Sequence, residues 1–288
     1  MSKIQILFGV GLALLVSTVA SVGLKRKNPT RKPLVPPQRF RAWWMIVAGL
    51  LFSHLLGTNP HLGPLPQLLG FTALSLLALY QFMSHLPQTP SVHTRFVCYV
   101  AVLLQYYWVY IHWYGFFVVF IPVFLFLYLP VSDKLGPTTT SPILNLASLH
   151  WSMMTCVFCL SHAAYLLILP AGPGLLFFVV LLTEVSDAVR MLLARNPAAK
   201  KWSPLLSCLT AVIVAVTVAP AFTPLTTEHT ILAGFVLGLA GSIGHGNVSA
   251  ISQELNIERG GALERIESLA YTAPIFLHGY RYFDYPLG

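Results

Sequence analysis

Residues 97–131 read VCYVAVLLQYYWVYIHWYGFFVVFIPVFLFLYLPV, and none of these 35 side chains is a carboxylate, an ammonium or a guanidinium. A helix needs roughly 20 apolar residues to cross about 30 Å of hydrocarbon. The run is therefore long enough for two crossings, with a tight aromatic turn expected near His112 to Gly115. It lacks the period-two alternation of a transmembrane barrel strand, so the reading is helical.

The rest of the chain agrees. Of its 288 residues 56% are hydrophobic and 9% charged, with a mean hydropathy of +0.72, whereas soluble domains run near a quarter charged. The expected fold class is all-α, a polytopic integral membrane protein with about nine to ten transmembrane helices. The spacing predicts helices at 4–24, 42–58 and 65–86, two within 97–131, then 143–169, 175–194, 203–219 and 231–249. Ile4 to Leu24 is read as a retained helix rather than a signal peptide, because it is long and runs into a basic loop. A last stretch, Leu269 to Tyr282, holds Pro274 and is short for a crossing, so a tilted or partial helix is expected. The reading divides the chain into N-terminal helices, 1–142, and a C-terminal region, 143–288.

The formal charge of +8 is concentrated, with seven of the 17 Lys and Arg in residues 25–41, KRKNPTRKPLVPPQRFR. In so apolar a chain this is a positive-inside loop touching anionic headgroups rather than a nucleic-acid patch. With that loop in the cytoplasm, the N-terminus lies outside and later basic clusters return to the cytoplasmic side. The expected location is the cell (inner) membrane. Cys98, Cys156, Cys159 and Cys208 all fall in apolar runs and read as small buried hydrophobes; Cys156-x-x-Cys159 has no second ligand pair.

Acidic residues are scarce enough to mark chemistry. Four of the nine, Glu254, Glu258, Glu264 and Glu267, lie between 241 and 281, and Glu264 and Glu267 are spaced to share a helix face. Glu184 and Asp187 repeat that spacing inside LLFFVVLLTEVSDAVRMLL (175–193), where an unpaired charge is expensive. One reading of this second pair is an intrahelical ion pair with Arg190. The other is coordination of Mg²⁺, which takes a few hard carboxylates plus substrate phosphates. Gly241, Gly244, Gly246, Gly260 and Gly261 would let backbone approach a phosphate, or else serve helix packing. His245, among them, is a candidate ligand, acid/base group or packing residue. There is no nucleophile elbow, Walker loop, H-E-x-x-H or zinc spacing, so motifs give covalent catalysis no support.

The order of several fragments resembles the membrane-embedded phosphatidate cytidylyltransferases, or CDP-diacylglycerol synthases, over about the C-terminal 40 percent of the chain. Thr183-Glu184-Val185-Ser186-Asp187-Ala188 resembles that family's transmembrane Asp segment, and Lys200-Lys201-Trp202-Ser203-Pro204 its basic turn into Ser-Pro. Ser249-Ala250-Ile251 resembles the start of its Ser-x-x-Lys-Arg element. Leu263-Glu264-Arg265-Ile266-Glu267-Ser268-Leu269 is similar to its closing Leu-Asp-Arg-Ile-Asp-Ser-Leu signature, and Tyr271 to His278 continues the likeness.

The resemblance implies an enzyme making CDP-diacylglycerol from CTP and phosphatidate at the cytoplasmic face, with Mg²⁺ or another divalent cation. It implies Asp187, Glu264 and Glu267 as catalytic carboxylates, joined by Glu184 as metal ligands. Ser203 and Ser249 become phosphate contacts. A homodimer is compatible with it. The chain also departs from the pattern: Leu206 and Ser252-Gln253 stand where the family carries Lys and Lys-Arg, and Gly244-His245 where it carries Gly-Asp. Arg190, Lys200, Lys201, Arg259 and Arg265 are the cations expected to compensate. The alternative expectation is a catalytically inactive homologue that binds a lipid or a partner membrane protein.

Overall fold

The computed structural model describes residues 63–86, 88–134, 142–193, 196–257 and 266–283. The helices expected at 4–24 and 42–58, the basic loop, and Arg259, Glu264 and Arg265 lie outside the described residues.

Among the described residues there is no strand. Helix α1 spans Leu65–Ser84, opened by Pro64 and Pro66, where a missing N–H costs nothing. Helix α2 spans Val92–Tyr110; the Ser91 hydroxyl caps it, accepting the Thr94 N–H at 3.1 Å. The expected turn follows at Ile111 to Trp113, with His112 at φ 60°. Helix α3 then runs through Tyr114–Val119, a π-helical turn Phe120–Leu125 and Phe126–Lys134. Pro122 lies in that turn, where its absent donor disrupts the ordinary ladder. The apolar run that opens this reading is thus two antiparallel helices.

Helix α4 comprises Pro142–Met153, a second π-helical turn Met154–Cys159, and Leu160–Leu167. Helix α5 is Gly172–Leu193 and α6 the short Pro197–Lys200, capped by the Asn196 side chain on the Ala198 N–H. Helix α7 is Ser203–Phe222 and α8 Thr227–Glu254, capped by Thr226 on the His229 N–H. Helix α9 is Leu269–Phe283. Pro274 was expected to break α9, but the helix continues through it, held by buried Ala270, Ala273, Phe276, Leu277 and Tyr280. Helix α8 runs on to Glu254, beyond the expected 249.

Among the described residues five helices are long and apolar enough to cross a membrane: Leu65–Ser84, Tyr114–Ser132, Ile143–Leu167, Ser203–Phe222 and Thr227–Glu254. Their outer faces carry exposed Leu77, Phe124, Ile143 and Ile213, a surface that suits lipid and would drive aggregation in water. The protein is an all-α polytopic membrane protein.

The inner faces do the packing. Helix α5 lies against α7, α8, α9 and the last segment of α4. Helices α7 and α8 approach closely at Gly234 and Gly238. A Cβ on Gly238 would meet the Cys208 Cα at 2.7 Å, so only glycine admits this backbone approach. The four cysteines are free, with Cys98, Cys156 and Cys208 buried and Cys159 half-buried.

Candidate functional site

The polar half of α5 faces inward. A helical repeat of about 3.6 residues puts Thr183, Ser186 and Asp187 on one side of the helix, and all three are buried. Thr183 donates its hydroxyl to the Val179 carbonyl at 2.8 Å and lies 2.9 Å from the Thr272 hydroxyl on α9. Polar side chains in a membrane core fix neighbouring helices only when their hydrogen bonds close, and here they close between helices.

Asp187 is the centre of that arrangement. Its Oδ1 lies 2.5 Å from an Arg190 guanidinium nitrogen one turn on, and its Oδ2 accepts the Ser268 hydroxyl at 2.6 Å. Asp187 is 4% exposed and Ser268 3%; a carboxylate taken this far from water needs both charge compensation and donors. Of the two sequence readings of the Glu184 and Asp187 pair, the structure contains the ion pair. Asp187 forms it with Arg190, and Asp187 also meets the closing segment that the resemblance singled out. The Nε of Arg190 is buried and has no hydrogen-bond partner among the described residues.

Glu267, next to Ser268, turns toward α8. Its Oε1 lies 2.5 Å from His245 Nδ1, and His245 Nε2 lies 3.5 Å from the Ser249 hydroxyl. His245 and Ser249 are four apart on α8 and so share a face. The expected site residues Asp187, Arg190, Glu267 and Ser249 thus belong to one connected polar cluster, with His245 and Ser268 as its joints. Glu184 is half-buried on α5 beside them in sequence. Sequence reasoning named His245 without a partner and gave Ser268 no role, although it lies in the closing signature-like fragment.

Other expected residues sit where α6 leads into α7. Ser203 is buried at the start of α7, while Lys200 and Lys201 are exposed, with the Lys201 ammonium 5.6 Å from the Trp202 ring centre. The glycines divide as well. Gly244 packs directly on the Tyr271 ring, and Gly241 lies near the Thr272 methyl, whereas Gly246 faces open space. Gly241 and Gly244 accordingly serve helix packing, which brings α8 near enough to α9 for His245 to reach Glu267.

Among the described residues no three His, Cys, Asp or Glu side chains form a group able to hold a metal ion. The cluster's own donors are the carboxylates of Asp187 and Glu267, the second committed to His245.

No family model matches the chain, and no solved structure matches it. It is 31% identical, over 297 aligned positions covering 94% of this chain and 96% of the relative, to the uncharacterized protein YnbB of Escherichia coli strain K12.

Proposed function

The chain belongs to the family of YnbB, and we propose, from the resemblance of its C-terminal fragments, that it is a phosphatidate cytidylyltransferase-type enzyme, making CDP-diacylglycerol from CTP and phosphatidate at the cytoplasmic face of the cell membrane. One observation carries the reading. Asp187, from the segment that resembles the family's transmembrane Asp segment, and Ser268, from the closing signature-like segment, meet through a 2.6 Å hydrogen bond although 81 residues apart.

In the reaction a phosphate oxygen of phosphatidate forms a bond to the α-phosphorus of CTP. The bond from that phosphorus to the α–β bridging oxygen breaks, and pyrophosphate leaves with the electron pair. Such transfers need positioning and charge neutralisation more than covalent work by the protein. Asp187, a buried hard-oxygen donor, suits Mg²⁺, which takes one or two carboxylates and completes its shell with phosphate oxygens and water; Glu264 is its expected companion. The bound ion would neutralise the transferring phosphates and polarise the α-phosphorus. Ser268 fixes the orientation of Asp187. Arg190 balances the carboxylate's charge, and its unpartnered Nε is a donor for a substrate phosphate. Arg259 and Arg265 are the further phosphate contacts this reading requires.

The test is turnover by purified protein in lipid micelles with radiolabelled CTP, phosphatidate and Mg²⁺, beside Asp187→Asn. Metal-dependent CDP-lipid that disappears in the variant supports the enzyme. Folded protein that neither forms product nor binds CTP refutes it. The second reading, an inactive homologue that binds a lipid or a partner membrane protein, draws on the apolar Leu206 and the uncharged Ser252-Gln253 at positions where the resembled family carries cations.

A further inference from the structure

Cytidylyl transfer gives His245 no role, and the resemblance uses its neighbours Glu267 and Ser249 only as a metal ligand and a phosphate contact. A lipid phosphate is already an anion and a competent nucleophile, so it has no need of a residue that strips a proton from a neutral hydroxyl. Yet Glu267, His245 and Ser249 are arranged in that order: an acid, an imidazole bridging with both ring nitrogens, and a hydroxyl. The Glu267 carboxylate is an acceptor, so His245 Nδ1 carries the proton across the 2.5 Å contact, and Nε2 presents its lone pair to the Ser249 hydroxyl at 3.5 Å. Contacts between a nucleophile and its base are commonly this loose before substrate binds. Burial is graded along the chain of groups. Glu267 is 4% exposed, whereas His245 and Ser249 are half-buried, so the acid is sheltered and the hydroxyl is reachable.

We propose that Ser249, His245 and Glu267 form a nucleophilic relay in which Ser249 attacks the carboxylic ester of a membrane lipid. The triad is recognised by geometry and roles, which the sequence order of its members does not dictate. A lipid is the fitting electrophile because α8 presents exposed Phe235, Leu239 and Ile243 to the bilayer and ends in this cluster, with open space beside Gly246.

In the first step a lone pair of Ser249 Oγ forms a bond to the ester carbonyl carbon as the Oγ–H bond breaks, and the proton passes to His245 Nε2. Collapse of the tetrahedral intermediate breaks the bond to the glycerol oxygen, which leaves with that proton from His245, giving a lysolipid and an acyl-serine. Water, deprotonated by the same nitrogen, then adds to the acyl carbon, releases a fatty acid and restores Ser249. Glu267 is a positioning residue: it holds the imidazole in the tautomer and orientation this needs.

The experiment is covalent labelling of the purified full-length protein in phospholipid nanodiscs by a fluorophosphonate, with the modified residue located by peptide mass spectrometry. No nucleotide, divalent cation or phosphatidate is added, so the result is independent of the cytidylyltransferase assay. The expected result is one phosphonyl group per chain on Ser249, lost in Ser249→Ala and slowed roughly 100-fold in His245→Gln. Glu267→Gln slows it by roughly 10-fold or more, and Glu267→Asp, which keeps the carboxylate, recovers part of the rate. Radiolabelled diacyl phospholipid releases fatty acid with wild type and not with Ser249→Ala. Wild-type protein of native helicity whose Ser249 remains unlabelled, under conditions that label a known serine hydrolase, overturns the proposal. So does labelling of Ser249 at an unchanged rate in His245→Gln.

Discussion

Replacing Ser268 with Ala removes one hydroxyl from the most buried charged contact described in the chain. The bond to Asp187 Oδ2 is 2.6 Å long, and neither partner is more than 4% exposed. Hydrogen bonds between helices in membranes average about 0.6 kcal/mol, but a bond to an ionised acceptor contributes roughly 1.5–3 kcal/mol, and removal leaves that acceptor short of a donor. Charge decides here, because water cannot replace the hydroxyl at such a depth. Arg190 keeps its hold on Oδ1, which limits the loss. The expected cost is about 2 kcal/mol. A double-mutant cycle with Asp187→Asn, read from SDS-driven unfolding in mixed micelles by tryptophan fluorescence, isolates the pair. The Ser268→Ala penalty should shrink by more than 1 kcal/mol once the acceptor is neutral, well outside the roughly 0.5 kcal/mol within which independent sites add. Equal penalties in both backgrounds would refute the account of Ser268 as the donor that holds a charged Asp187. Cytidylyl transfer, where it is measured, should fall in Ser268→Ala and recover in part in Ser268→Thr.

Gly238→Ala places a Cβ 2.7 Å from the Cys208 Cα; parting α7 and α8 costs about 1–3 kcal/mol, against about 1 kcal/mol regained in helix propensity, so a lower unfolding midpoint is expected. Ala171, at φ 58° before α5, sits in a region costing most side chains roughly 1–2 kcal/mol; Ala171→Gly should raise the midpoint and leave the cluster's chemistry unchanged. Arg281 lies with its guanidinium carbon 3.5 Å from the Tyr114 ring centre, and Arg281→Lys, which keeps the charge and loses the flat stacking face, should cost about 0.5–1 kcal/mol in the same unfolding assay.

Much of the fold was legible because a bilayer makes local sequence decisive. In hydrocarbon every backbone donor and acceptor must close within its own segment, so apolar length alone specifies helices. The uncharged run 97–131 is two helices for this reason. Where local reasoning gave way, packing had intervened. Pro274 sits inside α9 because the buried face around it outweighs one lost hydrogen bond, and α8 outlasts its apolar stretch by five residues.

The site divides in the same manner. Scarcity of charge drew attention to Asp187 and to the Glu264–Glu267 segment, since a carboxylate in an apolar run must be compensated wherever the chain goes. Sequence spacing also placed Arg190 one turn from Asp187. The bond from Ser268 to Asp187, and the sequence from Glu267 through His245 to Ser249, are fixed by how α5, α8 and α9 pack. Gly238 and Gly244 let backbones come close enough for side chains 81 and 22 residues apart to touch. Helix-forming tendency is a property of neighbours along the chain, and it was there to be read. A hydrogen bond across a helix interface depends on crossing geometry and register set by the whole bundle, so only the tertiary structure could bring these groups together.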